Sequence, residues 1–165
     1  MENAKVLVVM GSRSDLPVVQ ACLDQLKDLE IPYEARVLSA HRTPDAVLEL
    51  SKNAEKNGIQ VIIAAAGGAA HLAGVLASST ILPIIGIPMQ TSDLGGMDSL
   101  LSTVQMPAGV PVATVAIGKA GAKNAAILAG QMIALSDPAL AERIRTFKAN
   151  QAAKVLEGSR LEEEE

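Results

Sequence analysis

Aromatic side chains are almost missing from this sequence. Its 165 residues contain no tryptophan, and Tyr33 and Phe147 are the only phenyl rings. Without a platform on which exposed bases could stack, single-stranded nucleic acid is not an expected partner. Positive charge is not in excess either. The formal charge is -4 and the pI about 5.2, which argues against a surface for duplex nucleic acid. Cys22 is the only cysteine, so no intrachain disulfide or thiolate metal site can form, and a reducing, cytoplasmic setting fits. The two histidines, His41 and His71, are far apart in the chain with no cysteine beside them, so no metal site is expected. Long apolar runs are also lacking. Val6 to Met10 is too short for the core of a secretory signal. Val61 to Ala77 is broken by Gly67, Gly68 and His71 and falls short of the ~20 apolar residues of a membrane span.

What the chain does have is aliphatic side chains. Hydrophobic residues make up 49% of it, so Ala, Val, Ile, Leu and Met must build the core. The length suits one domain over residues 1–165, with tails at 1–4 and 158–165 expected to fray, including the solvated run Glu162 to Glu165. A chain of this size buries roughly 70% of its unfolded surface. Apolar runs read as buried parallel strands: Val6–Met10, Val61–Ala66, Pro83–Pro88 and Val112–Ile117, and the alternating segment Tyr33–Leu38 reads as a further strand, second in the chain. Between them lie helical patterns, from Asp15 to Leu29, Pro44 to Gly58, His71 to Ser79, Met97 to Gln105 and Gly121 to Leu135. Ser14 or Asp15 is the expected cap of the first. Asp137-Pro138 opens an extra carboxyl-terminal helix. Alternation of this kind specifies an α/β, three-layer, doubly wound parallel sheet, with the flavodoxin-like order 2-1-3-4-5 preferred. The helix around Asn124 to Leu135 has little polar surface; either a partner subunit covers it or it is plain core.

In such a sheet the loops after the first three strands meet at the carboxyl edge, where ligands bind. They carry Gly11 to Asp15, Ser39 to Pro44 and Gly67 to His71. Ser12 and the amides ahead of the first helix suit an anion, Arg42 can grip a phosphate with two hydrogen bonds, and Asp15 suits ribose hydroxyls. His41 can give and take a proton near neutral pH. Gly67 and Gly68 let a ligand approach the backbone. Each has a plainer alternative: Ser12, Asp15 and His71 as caps, Arg42 and His41 as surface loop residues, the glycines as packing. Convergence of the three loops favours a site. Familiar motifs do not compete. Gly118 to Lys123 lacks P-loop spacing, the first loop has one glycine instead of a dinucleotide fingerprint, and no Gly-x-Ser-x-Gly elbow occurs.

At these residues the sequence resembles the N5-carboxyaminoimidazole ribonucleotide mutase family of de novo purine (IMP) biosynthesis. The likeness covers about residues 5 to 135. It rests on Met10-Gly11-Ser12-Arg13-Ser14-Asp15, Ser39-Ala40-His41-Arg42-Thr43-Pro44-Asp45, Gly67-Gly68-Ala69-Ala70-His71-Leu72, Asp98-Ser99-Leu100, Val104-Gln105-Met106-Pro107 and Ala116-Ile117-Gly118. The resemblance implies conversion of N5-carboxyaminoimidazole ribonucleotide to 4-carboxy-5-aminoimidazole ribonucleotide, by decarboxylation and recarboxylation, with no metal, ATP or organic cofactor. It implies a homo-octamer whose sites draw on more than one subunit. By motif, Ser12, Asp15, Ser39 and Arg42 bind the ribotide, His41 is the general acid/base, and Gly67, Ala70, His71 and Leu72 form the carboxylate or CO2 pocket. Ala65 and Ala73 depart from the family's usual Gly and Pro beside that pocket. A related class carboxylates aminoimidazole ribonucleotide directly and typically has Lys where Arg42 stands. A non-catalytic nucleotide-binding module of the same shape is a third reading.

Overall fold

Val6-Leu7-Val8-Val9-Met10 is apolar at every position, and every one of these side chains is buried. A strand can do this only where both sheet faces are covered. In the computed structural model, which describes residues 3–159, this run is β1 (Val6–Met10). It pairs in parallel with β2 (Tyr33–Val37) on one side and β3 (Val61–Ala66) on the other. β4 (Ile84–Pro88) and β5 (Ala113–Thr114) complete a five-stranded parallel sheet in the order β2-β1-β3-β4-β5, as expected.

The pleat divides the core in two. Val6, Val8 and Met10 face one layer with Val19, Cys22 and Leu26 of α1 (Leu16–Asp28) and Ala122, Ala125 and Ala129 of α5 (Lys119–Ala134). Leu140 and Ile144 of α6 (Pro138–Glu157) close that layer. Leu7 and Val9 face the other, with Val47 of α2 (Pro44–Ala54) and Leu72 and Leu76 of α3 (Leu72–Ala77). Fully burying such an aliphatic side chain contributes about 1.5–3 kcal/mol, so β1 alone anchors both layers.

Several expectations are corrected. The fifth strand is two residues long, not six, because only Ala113 and Thr114 pair with β4. Asp15 precedes α1 but makes no side-chain cap bond; instead Ser12 accepts from the Ser14 amide and caps a short 3-10 turn, Arg13–Asp15. α2 stops at Ala54 and passes through a 3-10 turn to Gly58, whose φ of 84° ends it. α5 needs no partner subunit as cover. Its small face, including Gly121, Ala126 and Gly130, is buried within the subunit against the sheet, α1 and α6. Ala4, assigned to a frayed tail, is 5% exposed and packs in the second core layer. The tail residues 1–2 and 160–165, with the acidic run Glu162 to Glu165, lie outside the described residues. Among the described residues no helix is long and apolar enough to cross a membrane.

Candidate active site

β1 and β3 are neighbours whose outgoing helices pack on opposite faces of the sheet. Their carboxyl ends therefore part company, and the crevice between them is where a doubly wound sheet receives its ligand. A cavity of about 300 Å³ lies there. The three loops singled out in the sequence form its wall: Ser12 and Asp15 from the first, Ser39, His41 and Arg42 from the second, Gly67 from the third.

The first loop is tied to the sheet by the Gly11 amide, which donates to the Ala65 carbonyl at 3.0 Å. Ser14 Oγ donates to Ser12 Oγ at 2.8 Å, so two hydroxyls stand side by side at the cavity's edge. Ser14 also lines the cavity and was not foreseen; its place next to Ser12 in a loop rich in donors is the only signal for it. Burial pushes the Asp15 carboxyl above its ordinary value, against an opposing hydrogen bond to the Ser12 backbone. A carboxylate kept short of water seeks hydroxyl donors, which a ribose supplies.

The second loop is held by its own hydroxyls. Ser39 Oγ accepts from the Arg42 amide at 3.2 Å, and Thr43 Oγ1 accepts from the Ser39 amide at 2.9 Å. The Thr43 amide donates to the Ser39 carbonyl at 2.8 Å. Pro44 then occupies the first turn of α2, where its missing N–H costs nothing. This closed turn presents His41 and Arg42 at its exposed apex. Arg42 has no ion-pair partner among the described residues.

The third loop is clamped from below by α4 (Met97–Val104). The Gly68 amide donates to Ser99 Oγ at 2.9 Å, and the Ala70 amide donates to Ser102 Oγ at 3.0 Å. Gly68 needs its glycine, since φ is +67°. Ser99 is fully buried. These two serines stand three apart and so on one helical face; the sequence reading used Ser99 only as part of a motif and did not single out Ser102. Their partners lie 31 and 32 positions away, which no local pattern reveals. The clamp leaves the Gly67 and Ala69 amides as the loop's donors without a partner among the described residues, and both residues line the cavity.

Leu72 lines the cavity, but Ala70 does not; it is 1% exposed and packed beneath the loop. His71 is outside the lining as well. It lies against His41, with His41 Nε2 2.9 Å from His71 Nδ1 and the rings edge to face. Ala65 and Ala73, the two departures, are both buried, Ala65 in the layer with α1 and α5 and Ala73 in the layer with α2 and α3. No cluster of three or more His, Cys, Asp or Glu side chains suited to a metal occurs among the described residues.

Taken together, the cavity offers an anion grip, a hydroxyl-seeking carboxylate and an imidazole at its mouth. Known proteins resemble this chain over nearly its whole length. The profile of a family described as AIR carboxylase matches residues 5–154. The N5-carboxyaminoimidazole ribonucleotide mutase of Haemophilus influenzae is 51% identical over 156 residues, covering 94% of this chain and 95% of its own. That of Pseudomonas aeruginosa is 54% identical over 155 residues, with coverage of 94% and 95%. Among solved structures, Treponema denticola PurE superimposes with a TM-score of 0.83 at 29% identity, over 92% of this chain and 94% of that one. With the fold in agreement and the likeness spanning nearly the full length, this chain belongs to the AIR carboxylase family.

Proposed function

We propose that this chain is an N5-carboxyaminoimidazole ribonucleotide mutase of purine biosynthesis, converting that carbamate to 4-carboxy-5-aminoimidazole ribonucleotide. The observation that carries the reading is the meeting of Ser12, Asp15, His41, Arg42 and Gly67 around one cavity, in a chain about half identical to proteins bearing that name. Arg42 grips the phosphate through charge-assisted hydrogen bonds, aided by the Ser12 hydroxyl. Asp15 accepts from the ribose. Binding energy from this remote end orients the ring, so the reacting atoms meet without further loss of freedom.

The carboxyl group leaves nitrogen as CO2 and is captured by ring carbon C4. Net, one proton moves from C4 to the nitrogen, and His41 is the group that gives and takes it. The CO2 waits against the third loop, where the Gly67 and Ala69 amides are free to donate and Leu72 supplies an apolar wall. No cofactor is assigned to this chemistry, since loss and recapture of CO2 by an electron-rich ring is redox-neutral.

Two coarser points belong to the same reading. The homo-octamer is supported by an apolar face on and before α4: Leu94, Met97, Leu101 and Val104 are each at least 45% exposed. A cytoplasmic location is supported by the lone buried thiol of Cys22. The roles are tested with His41→Asn, which keeps a polar side chain of similar size. Turnover is expected to fall by about 10²–10⁴-fold, the usual worth of a positioned acid/base, while calorimetry shows ribotide binding within a few-fold of wild type. A variant that still turns over near the normal rate contradicts the assignment.

A further inference from the structure

His41 and His71 are the only histidines in the chain. They sit on loops after different strands, yet their ring centroids are 4.9 Å apart, at 82°, with His41 Nε2 2.9 Å from His71 Nδ1. An N–H···N contact of this length needs one donor and one acceptor, so it holds one proton. A neutral imidazole supplies one of each; an imidazolium supplies donors only. The contact therefore survives in the neutral pair and in the singly protonated pair. In the doubly protonated pair two N–H groups would face each other, and the contact breaks. It also divides the nitrogens by task. His41 Nδ1 has no protein partner among the described residues, and His41 lines the cavity. Nδ1 is thus the nitrogen of His41 left for a ligand.

We infer that His71 is a positioning residue that fixes the ring and tautomer of His41, making His41 Nδ1 the atom that exchanges a proton with substrate. The inference rests on the mutase reading for its substrate. The pair begins protonated. The bond from nitrogen to the carboxyl carbon breaks, its electrons stay on nitrogen, and nitrogen takes the proton from His41 Nδ1. His41 is now neutral, with Nε2–H donating to His71 Nδ1, so the lone pair sits on Nδ1 without any ring rotation. C4 then forms its bond to the CO2 carbon and returns its proton to Nδ1, restoring the starting state. A second group that holds a working imidazole by its other nitrogen is the common way to set its tautomer. The charged side chains sharing the cavity with His41 are Asp15 and Arg42. On α4, behind the His71 loop, Asp98 accepts from Thr91 Oγ1 at 2.8 Å.

With only two histidines, the full chain labelled with ¹⁵N in its imidazoles gives four ring-nitrogen signals. At alkaline pH, with both rings neutral, the signals are expected to show His41 protonated at Nε2 and bare at Nδ1. A neutral His41 protonated at Nδ1, or one exchanging freely between its two tautomers, overturns the inference. In parallel, His71→Phe is expected to lower kcat about 10- to 100-fold, the scale of losing an outer partner, with KM within about twofold and an altered pH profile. His71→Asn, whose side-chain oxygen can accept from His41, recovers part of the loss. Equal losses in both variants, or a loss confined to KM with the pH profile unmoved, contradict it. If wild type turns over no carbamate while neutral His41 still carries its proton at Nε2, the mutase reading fails and the pairing stands.

Discussion

Arg42 and His41 are adjacent in sequence, but their loss should look different in kinetics. On the proposed reading Arg42 meets only the phosphate, the end of the substrate that does not react. Arg42→Ala removes two charge-assisted hydrogen bonds worth about 1.5–3 kcal/mol each, so kcat/KM is expected to fall about 10²- to 10⁴-fold, mostly through KM, in steady-state assays. Asp15 gives a prediction in pH. Its carboxyl titrates above its ordinary value because burial disfavours the charged form. The folded state therefore holds the proton more tightly than the unfolded chain. The stabilising share is complete below the ordinary carboxylate value, near pH ~4, and is lost as pH rises through the raised value. Asp15→Asn is expected to raise the melting temperature at pH 7, to give little gain below pH ~4, and to weaken ribotide binding; melting scans at both pH values check it. Ser12, Asp15, His41 and Arg42 were legible as candidates in the sequence because each follows a strand, and strand ends at one sheet edge must meet. The contact of His41 with His71 was not legible. It depends on two loops closing to within 3 Å, and the two residues stand 30 positions apart.

Among the elements, the long apolar ones were read well and the short ones poorly. β1 and β3 are buried on both faces and show it as uninterrupted runs. β5 lies at the sheet edge and pairs only through Ala113 and Thr114, so the apolar residues that follow it need not be strand. α5 shows the limit of composition. Its small residues admit close packing, and the subunit's own α1 and sheet take up that face. Composition alone does not say whether the cover comes from the same chain or another. α1 carries one local conflict. Gln25 is 2% exposed, and neither its amide nitrogen nor its oxygen has a partner among the described residues. An unsatisfied buried amide costs about 1–3 kcal/mol. Gln25→Leu, which keeps the helix and removes the polar group, is expected to stabilise the fold by about that amount in urea unfolding with an unchanged slope. A loss of stability there would mean that the amide has a partner in solution, such as a buried water.

At the scale of the whole molecule, the octamer reading has copies of the chain meet through exposed apolar side chains. Met97, Leu101 and Val104 fall on one face of α4 at spacings of four and three, and each is about half exposed. The same helix holds the third site loop through Ser99 and Ser102. Assembly and activity are thereby coupled on the octamer reading. Leu101→Glu is expected to reduce the mass seen by light scattering and to lower turnover with it, without unfolding the subunit; an unchanged mass would remove α4 from the interface. The central claim concerns which substrate the whole assembly accepts. Its direct test offers the enzyme N5-carboxyaminoimidazole ribonucleotide and, separately, aminoimidazole ribonucleotide with bicarbonate, and follows formation of 4-carboxy-5-aminoimidazole ribonucleotide. Rapid turnover of the carbamate, with little product from the second pair, is the predicted result. Product from aminoimidazole ribonucleotide and bicarbonate, with none from the carbamate, would contradict the mutase assignment and make the enzyme a direct carboxylase.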